Sequence, residues 1–454
     1  MPAASTAAPL VLAGLALYLI AVAVTGLLAR RRSAGEAGFY LAGRALGPLT
    51  ATSSLAATVV GGSALILVAG QVFARGLPGV WIDLAGGIGL IILGLLLAGR
   101  VRGMGLFSLP EIAGRFYGRA VRTVAAALVL LAEIAWLGLL LKACAAVLRP
   151  LLGAGELPLL LLVGGVFTLY TAVGGQLAVA RTDVVQLALM AAGILMVAAP
   201  ILIGAADWAA VPQRLLRFPA GPGFPPRTLL PLILVTALPH LVGSDIYGKL
   251  LSCRDEGIAR RAALAAGGLK ILFGLAAAAI GLAAVSMLPP DTPADQVLTR
   301  LVLTALPEPA AALVVIALLA TLMSSADSVL LTAATVLSRD LLRRPGAATG
   351  RSATVAIGAL GILIAAAFAT LLDIFMFAYT LFSAGLALPL LFGFWRARLR
   401  LNTAGAAASM VGGAAVVLAG TAAGWPPELV TSGGLAASCV LLFAVSLIGR
   451  RAEG

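Results

Sequence analysis

Charge is what this chain has least of: 11% of its 454 residues are charged, against about 25% in ordinary soluble domains. So few charges cannot cover a water-facing surface, and a membrane protein is the reading that remains. The single histidine, His240, excludes a His-rich metal site. The three cysteines, Cys144, Cys253 and Cys439, form neither a metal spacing nor a disulfide framework. No GxxxxGK[ST] loop is present, so the expected energy source is a gradient and not ATP. The first apolar segment lacks a charged leader and a cleavage site, and is expected to stay as a helix. No soluble domain is expected at either end, hence no attached kinase, nucleotidase or sensor module.

What the chain has instead is apolar length. Hydrophobic residues make up 61% of it, in runs of about 20 that can each cross a ~30 Å hydrocarbon core. The expected spans are 9–29, 48–73, 77–99, 122–148, 157–175, 183–205, 228–252, 262–288, 309–337, 351–371, 373–395, 403–423 and 430–449, an all-α polytopic protein of about 13 helices. The loop that opens with Arg30, Arg31 and Arg32 is taken as cytoplasmic. Of 31 lysines and arginines, with those at span ends counted in the adjoining loop, 23 then fall on that side, 6 on the other, and Lys142 and Lys270 deep inside spans. That asymmetry follows the positive-inside rule and puts the N-terminus outside and Arg450–Arg451 inside, in the cell's inner membrane. It also leaves no basic stripe for a nucleic-acid partner.

Two spans carry interruptions. Residues Ser53 to Ser63 place β-branched residues and the pair Gly61–Gly62 in mid-membrane, and Leu238 to Asp245 place Pro239, His240 and Gly243 in the middle of span seven. Non-helical backbone survives at that depth only where it is buried or lines a cavity. Interrupted spans at corresponding places in two halves point to a transporter's central site, and spans two and seven are five apart. The glycine pair also admits a simpler account, close helix packing.

Span nine holds the most polar cluster. Thr321, Ser324, Ser325 and Ser328 have i, i+3, i+4, i+7 spacing and share one helix face. Their oxygens suit a hard cation such as sodium, although serines also bond back to the i−4 carbonyl. Back-bonding does not account for Asp327, since an intramembrane carboxylate is costly unless partnered or functional.

Several motifs in order give a family resemblance over nearly the whole chain. They are Phe39 to Arg44, Phe107 to Glu111, Leu169 to Gly175 with Ala178 to Gln186, Ser324 to Ser328 running to Asp340, and Phe392 to Trp395. Together they resemble the sodium:solute symporter family. The resemblance implies a LeuT-like five-plus-five inverted-repeat core. Residues 1–46 would form the first helix and a loop, 47–400 the core with repeats at about 47–205 and 228–400, and 401–454 two further helices. It implies a sodium site made by the carbonyls of Ala57, Val60 and Thr321 with the hydroxyls of Ser324 and Ser325. A second sodium position would use Asp183, Ser324, Asp327 and Ser328, with helix capping beside Thr182 as the alternative role for Asp183.

Solute candidates are Ser63, Asp83, His240, Gly243, Lys270 and Lys142. Lys270 and Asp83 match residues of sugar-transporting relatives, but the amide positions there are Ala64 and Gly243 here, which disfavours sugars. Val59 and Gly243 stand where choline-transporting relatives are expected to place caging rings, which disfavours choline. A half-helix N-terminus and Lys270 both favour a small carboxylate-bearing solute, such as an amino acid, a monocarboxylate or a pantothenate-like acid. His240 also reads as a hydrogen-bonded core residue, and Lys142 as a lysine snorkelling toward headgroups near Arg149.

The expected function is sodium-coupled solute symport by alternating access, in contact with membrane lipid and with no evident obligatory protein partner. Proton coupling in the same fold, and a solute sensor or channel, are the alternatives. A membrane enzyme would need a carboxylate pair or His/Asp cluster at one membrane face, and the sequence offers none.

Overall fold

The structure, a computed structural model, describes residues 8–30, 36–344 and 346–451; Arg31 and Arg32 of the first basic loop lie outside the described residues. Inside hydrocarbon a backbone must satisfy its own polar groups, and here it does so by helices, with only two isolated bridges, Leu46 to Cys253 and Gly221 to Phe224, among the described residues.

The long elements follow the expected spans in order: α1 (Ala8–Arg30), α2 (Pro48–Val60), α3 (Gly62–Arg75), α4 (Leu77–Leu96), α5 (Arg119–Leu152), α6 (Glu156–Leu169), α7 (Gly175–Ala205), α8 (Pro226–Val242), α9 (Ser244–Ser252), α10 (Glu256–Ala284), α11 (Glu308–Leu341), α12 (Ala348–Ala367), α13 (Leu371–Gly393), α14 (Thr403–Ala422) and α15 (Pro427–Ile448). Among the described residues, ten spans are long and apolar enough to cross a membrane, and α2 with α3 makes an eleventh, bent by 41°. The remaining two expected spans, 9–29 and 157–175, correspond to shorter apolar helices, Pro9–Ala21 and Glu156–Leu169. The expected loop at 176–182 is helical instead. Gly175 (φ 69°, ψ 178°) kinks one continuous run, Glu156–Met190, and the ring of Phe39 packs where a side chain on that glycine would stand.

Burial separates centre from rim. The most apolar windows of α11 and α13 are 78% buried, whereas those of α7 and α15 are 33% and 28% buried. Large exposed side chains such as Met196, Leu363 and Val440 therefore face outward, where lipid is their natural solvent. α10 lies against α2, α3 and α4, and α11 lies against α5, α6 and α7. These contacts bring the interrupted α2–α3 span between the two helices that carry Lys270 and the serine cluster.

Small residues make those approaches possible. A Cβ on Gly62 would lie 2.8 Å from Leu322 Cγ and 2.9 Å from the Leu318 carbonyl oxygen. A backbone oxygen inside a helix cannot step aside, so Gly62→Ala is expected to overpack the α3–α11 contact by about 1–3 kcal/mol. Thermal unfolding in detergent should begin lower for this variant, while Gly165→Ala, where nothing lies within 4 Å of the added carbon, should not show the loss.

Candidate functional site

The first interruption falls at one residue. Gly61 (φ 37°, ψ 125°) ends α2 and caps α3, and its own carbonyl accepts from Ala64 N at 3.0 Å. The left-handed φ requires glycine there, and the next glycine serves packing, so both accounts of the pair hold, one for each residue. The last carbonyls of α2 are shared out between neighbours. Thr58 O accepts from Ser325 Oγ at 3.1 Å, and Val59 O accepts from Lys270 Nζ at 2.7 Å. Ala57 and Val60 carbonyls take no side-chain donor among the described residues.

On α11 the serines bond back along their own helix and also across to other helices. Ser325 Oγ reaches Thr321 O at 3.3 Å as well as Thr58 O, and Ser328 Oγ donates to Ser324 O at 3.0 Å while meeting Thr58 Oγ1 at 3.1 Å. Thr321 Oγ1 donates to Ala317 O, which leaves the Thr321 carbonyl facing Ser325. Thr58, Thr321 and Ser325 thus meet where α2 ends against α11, with Ala57 and Val60 beside Thr58 in the last turn of α2. Ser324 turns instead toward Asp183.

Asp183, fully buried on α7, accepts three donors from three other helices: Ser324 Oγ on Oδ1 at 2.5 Å, and Ser54 Oγ at 2.5 Å and Lys249 Nζ at 3.0 Å on Oδ2. It ties α2, α7, α9 and α11 together. Thr182 beside it donates back to Ala178 and Val179 of its own helix. Asp327 lies one turn along α11 from Ser324 but has a different partner. Its Oδ1 accepts from Thr171 Oγ1 at 2.5 Å, and its buried Oδ2 has no partner among the described residues. Of the four residues implied for a second sodium, Asp183 and Ser324 are in contact, Ser328 adjoins them through Ser324 O and Thr58, and Asp327 bonds to Thr171 instead.

The second interruption, Gly243 (φ −62°, ψ 141°), separates α8 from α9, and a Cβ there would lie 2.4 Å from Pro239 O. Three of the solute candidates gather beside both interruptions. Lys270 Nζ is 2.6 Å from Asp83 Oδ1, with both side chains buried, and Asp83 Oδ2 has no partner among the described residues. A Cβ on Gly86 would touch Lys270 Cε and the His240 ring alike, so these two side chains meet over that glycine. His240 Nδ1 lies 2.7 Å from Thr236 O. Ser63 is buried in the first turn of α3. Lys142 is elsewhere, paired with Glu156 and bonded to Ala365 O.

Lys249 escaped the sequence reading because it sits at the end of its span, where a lysine looks like one more loop cation. An aromatic group also had no sequence signal, because Trp136 of α5 and His240 of α8 come from spans far from the Phe375–Tyr379 pair of α13. Tyr379 of α13 lies 4.4 Å from Trp136, 4.2 Å from Phe375 and 6.0 Å from the His240 ring, centroid to centroid.

The end of the bundle that carries most of the arginines is bolted. Arg122 reaches Asp340 at 2.6 Å and Glu111 at 3.1 Å, Arg339 reaches Glu111 at 3.2 Å, and Tyr40 Oη meets Ser338 Oγ at 2.9 Å. Burial pushes the Glu111 carboxyl above its usual range, partly offset by the Phe107 backbone N–H it accepts. At the opposite end a cavity of about 350 Å³ opens between Gln71, Arg75, Asp295 and Asp373.

Two interrupted helices side by side at mid-membrane, with carbonyls and hydroxyls converging on one interruption, define a LeuT-like secondary transporter. The chain is 17% identical to a Na+-coupled sialic acid symporter of known structure, with a TM-score of 0.80 over 96% of this chain and 98% of that one. Residues 39–215 and 241–413 match the model of the Sodium:solute symporter family, and the chain belongs to that family. It is 27% identical over 447 residues to an osmoregulated proline transporter of Bacillus subtilis, covering 90% of this chain and 88% of that protein. It is 32% identical over 181 residues to a high-affinity choline transporter of Caenorhabditis elegans, a match that spans 37% of this chain and only 31% of the relative. Sodium-coupled solute symport is the activity that the family's description names.

The Asp83–Lys270 pair offers a direct check. Removing one partner of a buried pair leaves an uncompensated charge, a loss of about 3–5 kcal/mol. Asp83→Asn should therefore destabilise the purified protein strongly, and Asp83→Asn with Lys270→Met should recover much of that loss. Additive losses in the double variant would show that the pair is not coupled.

Proposed function

We propose that this chain takes up a small carboxylate-bearing solute, a zwitterionic amino acid foremost, together with sodium by alternating access. The observation that carries the reading is the sharing of consecutive α2 carbonyls, Thr58 O with Ser325 of α11 and Val59 O with Lys270 of α10. Sodium would bind the Ala57, Val60 and Thr321 carbonyls with the Ser325 hydroxyl and with the oxygen of Ser324, whose proton goes to Asp183. The solute carboxylate would draw on Lys270, and its ammonium on the free oxygen of Asp83. Ion and solute then act on neighbouring residues of one interruption, so each strengthens the other's binding.

The aromatic side chains of Trp136, Phe375 and Tyr379 give the apolar body of such a solute a wall to pack on, and an ammonium a ring face. The name of the Bacillus subtilis relative, a proline transporter, supports an amino acid as well. The arginine-rich end is read as cytoplasmic, with the N-terminus outside. Its bolt of Arg122, Asp340, Glu111 and Tyr40 would be the gate that opens for release, and the membrane potential adds about 2.3 kcal/mol per charge per 100 mV to inward sodium movement.

Uptake into proteoliposomes tests this with labelled proline and a panel of small amino and carboxylic acids. One of these solutes is expected to accumulate at least about tenfold faster under an inward sodium gradient than under potassium, a difference near 1.4 kcal/mol, and Lys270→Met should abolish the uptake. Accumulation driven equally well by a proton gradient without sodium would instead favour proton coupling, and solute binding without accumulation a sensor.

A further inference from the structure

We propose that Lys249 is a built-in cation that takes the place of a second sodium at Asp183, so that the chain binds one sodium ion per cycle. The inference rests on the sodium-coupled reading above and deepens it.

The Asp183 pocket has the chemistry of a cation site: a carboxylate with two hydroxyls, Ser54 and Ser324, each 2.5 Å from one of its oxygens. All three residues are fully buried. The cation, however, is already part of the protein. Lys249 Nζ lies 3.0 Å from Asp183 Oδ2, with the lysine side chain 3% exposed. A sodium ion on the same carboxylate would stand within a few ångströms of a fixed ammonium, and like charges that close in a low dielectric exclude each other. Nor is a second carboxylate bonded to Lys249 or to the two serines among the described residues. Asp327, one turn along α11 from Ser324, accepts from Thr171, and Asp245, one turn before Lys249, accepts from the Ile246 backbone N–H.

The position of Lys249 on the chain gives the substitution its consequence. It belongs to α9, the half-helix after the second interruption, while Ser54 belongs to α2, the half-helix before the first. A diffusible ion at this place would leave with each cycle. A tethered ammonium supplies the same charge to α2, α7 and α11 and is never released. One charge then crosses with each zwitterionic solute instead of two.

Counting bound radioactive sodium on the purified protein, with no solute present, tests the inference. The wild type is expected to bind one ion per chain, and Lys249→Met, which bares Asp183, is expected to bind two. Lys249→Met with Asp183→Asn removes both charges and should return the count to one, and it covers the case in which the single variant does not fold. Two ions on the wild type, or one ion on a folded Lys249→Met variant, would overturn the inference while leaving sodium coupling intact. No saturable sodium binding to the wild type would overturn the sodium reading itself, and this inference with it.

Discussion

One interruption of one helix organises this protein. At Gly61 the chain turns through a conformation that only glycine adopts easily, and the last carbonyls of α2 leave the ladder that would otherwise consume them. In water such groups would be solvated at little cost. In hydrocarbon each must find a partner in the protein, and the partners here are Ser325 on α11 and Lys270 on α10. The close approach of α3 to α11 at Gly62, and the position of α10 against α2, follow from bringing those partners within reach. Under the proposed function, ion coordination and solute binding become properties of the same few residues.

The second constraint is charge at low dielectric. Asp83 with Lys270 and Asp183 with Lys249 are two buried acid–base pairs, one on each side of the interrupted span. A buried pair adds little to net stability, but removing one partner is expensive, so each pair fixes the relative position of the helices it joins. Asp83–Lys270 joins α4 to α10 and, through Val59, to the interruption. Asp183–Lys249 joins α7 to the half-helix α9 and, through Ser54 and Ser324, to α2 and α11. In the first pair one carboxylate oxygen has no partner among the described residues, the oxygen that the proposed function gives to the solute. The second has both oxygens engaged and is closed.

Much of this could be read in the sequence because the bilayer imposes strong rules. Span positions came from apolar length, the two interruptions from glycine and proline at mid-membrane, and the α11 serine face from helical spacing. What stayed hidden depended on side-chain direction across helices. Asp327 and Ser324 are three residues apart and look like partners, yet one meets Thr171 and the other Asp183. Lys142 reads as a substrate lysine or a snorkelling one, and its choice of Glu156 depends on how α5 and α6 pack. Lys249 meets Asp183, and Trp136 meets the Phe375–Tyr379 pair, only where the folded bundle brings separate spans together. The loop expected at 176–182 was lost to a single positive φ at Gly175, which turns a helix without ending it.

The central claim is that a cation is held where α2 stops against α11. The most direct measurement is the melting temperature of the purified protein as sodium replaces potassium at constant ionic strength, in the wild type and in Ser325→Ala. A ligand that binds only the folded state raises the melting temperature by mass action. The account predicts a saturable rise with sodium in the wild type that needs about tenfold more sodium, or disappears, in the variant. The same rise in both proteins, or no difference between sodium and potassium in the wild type, would contradict it.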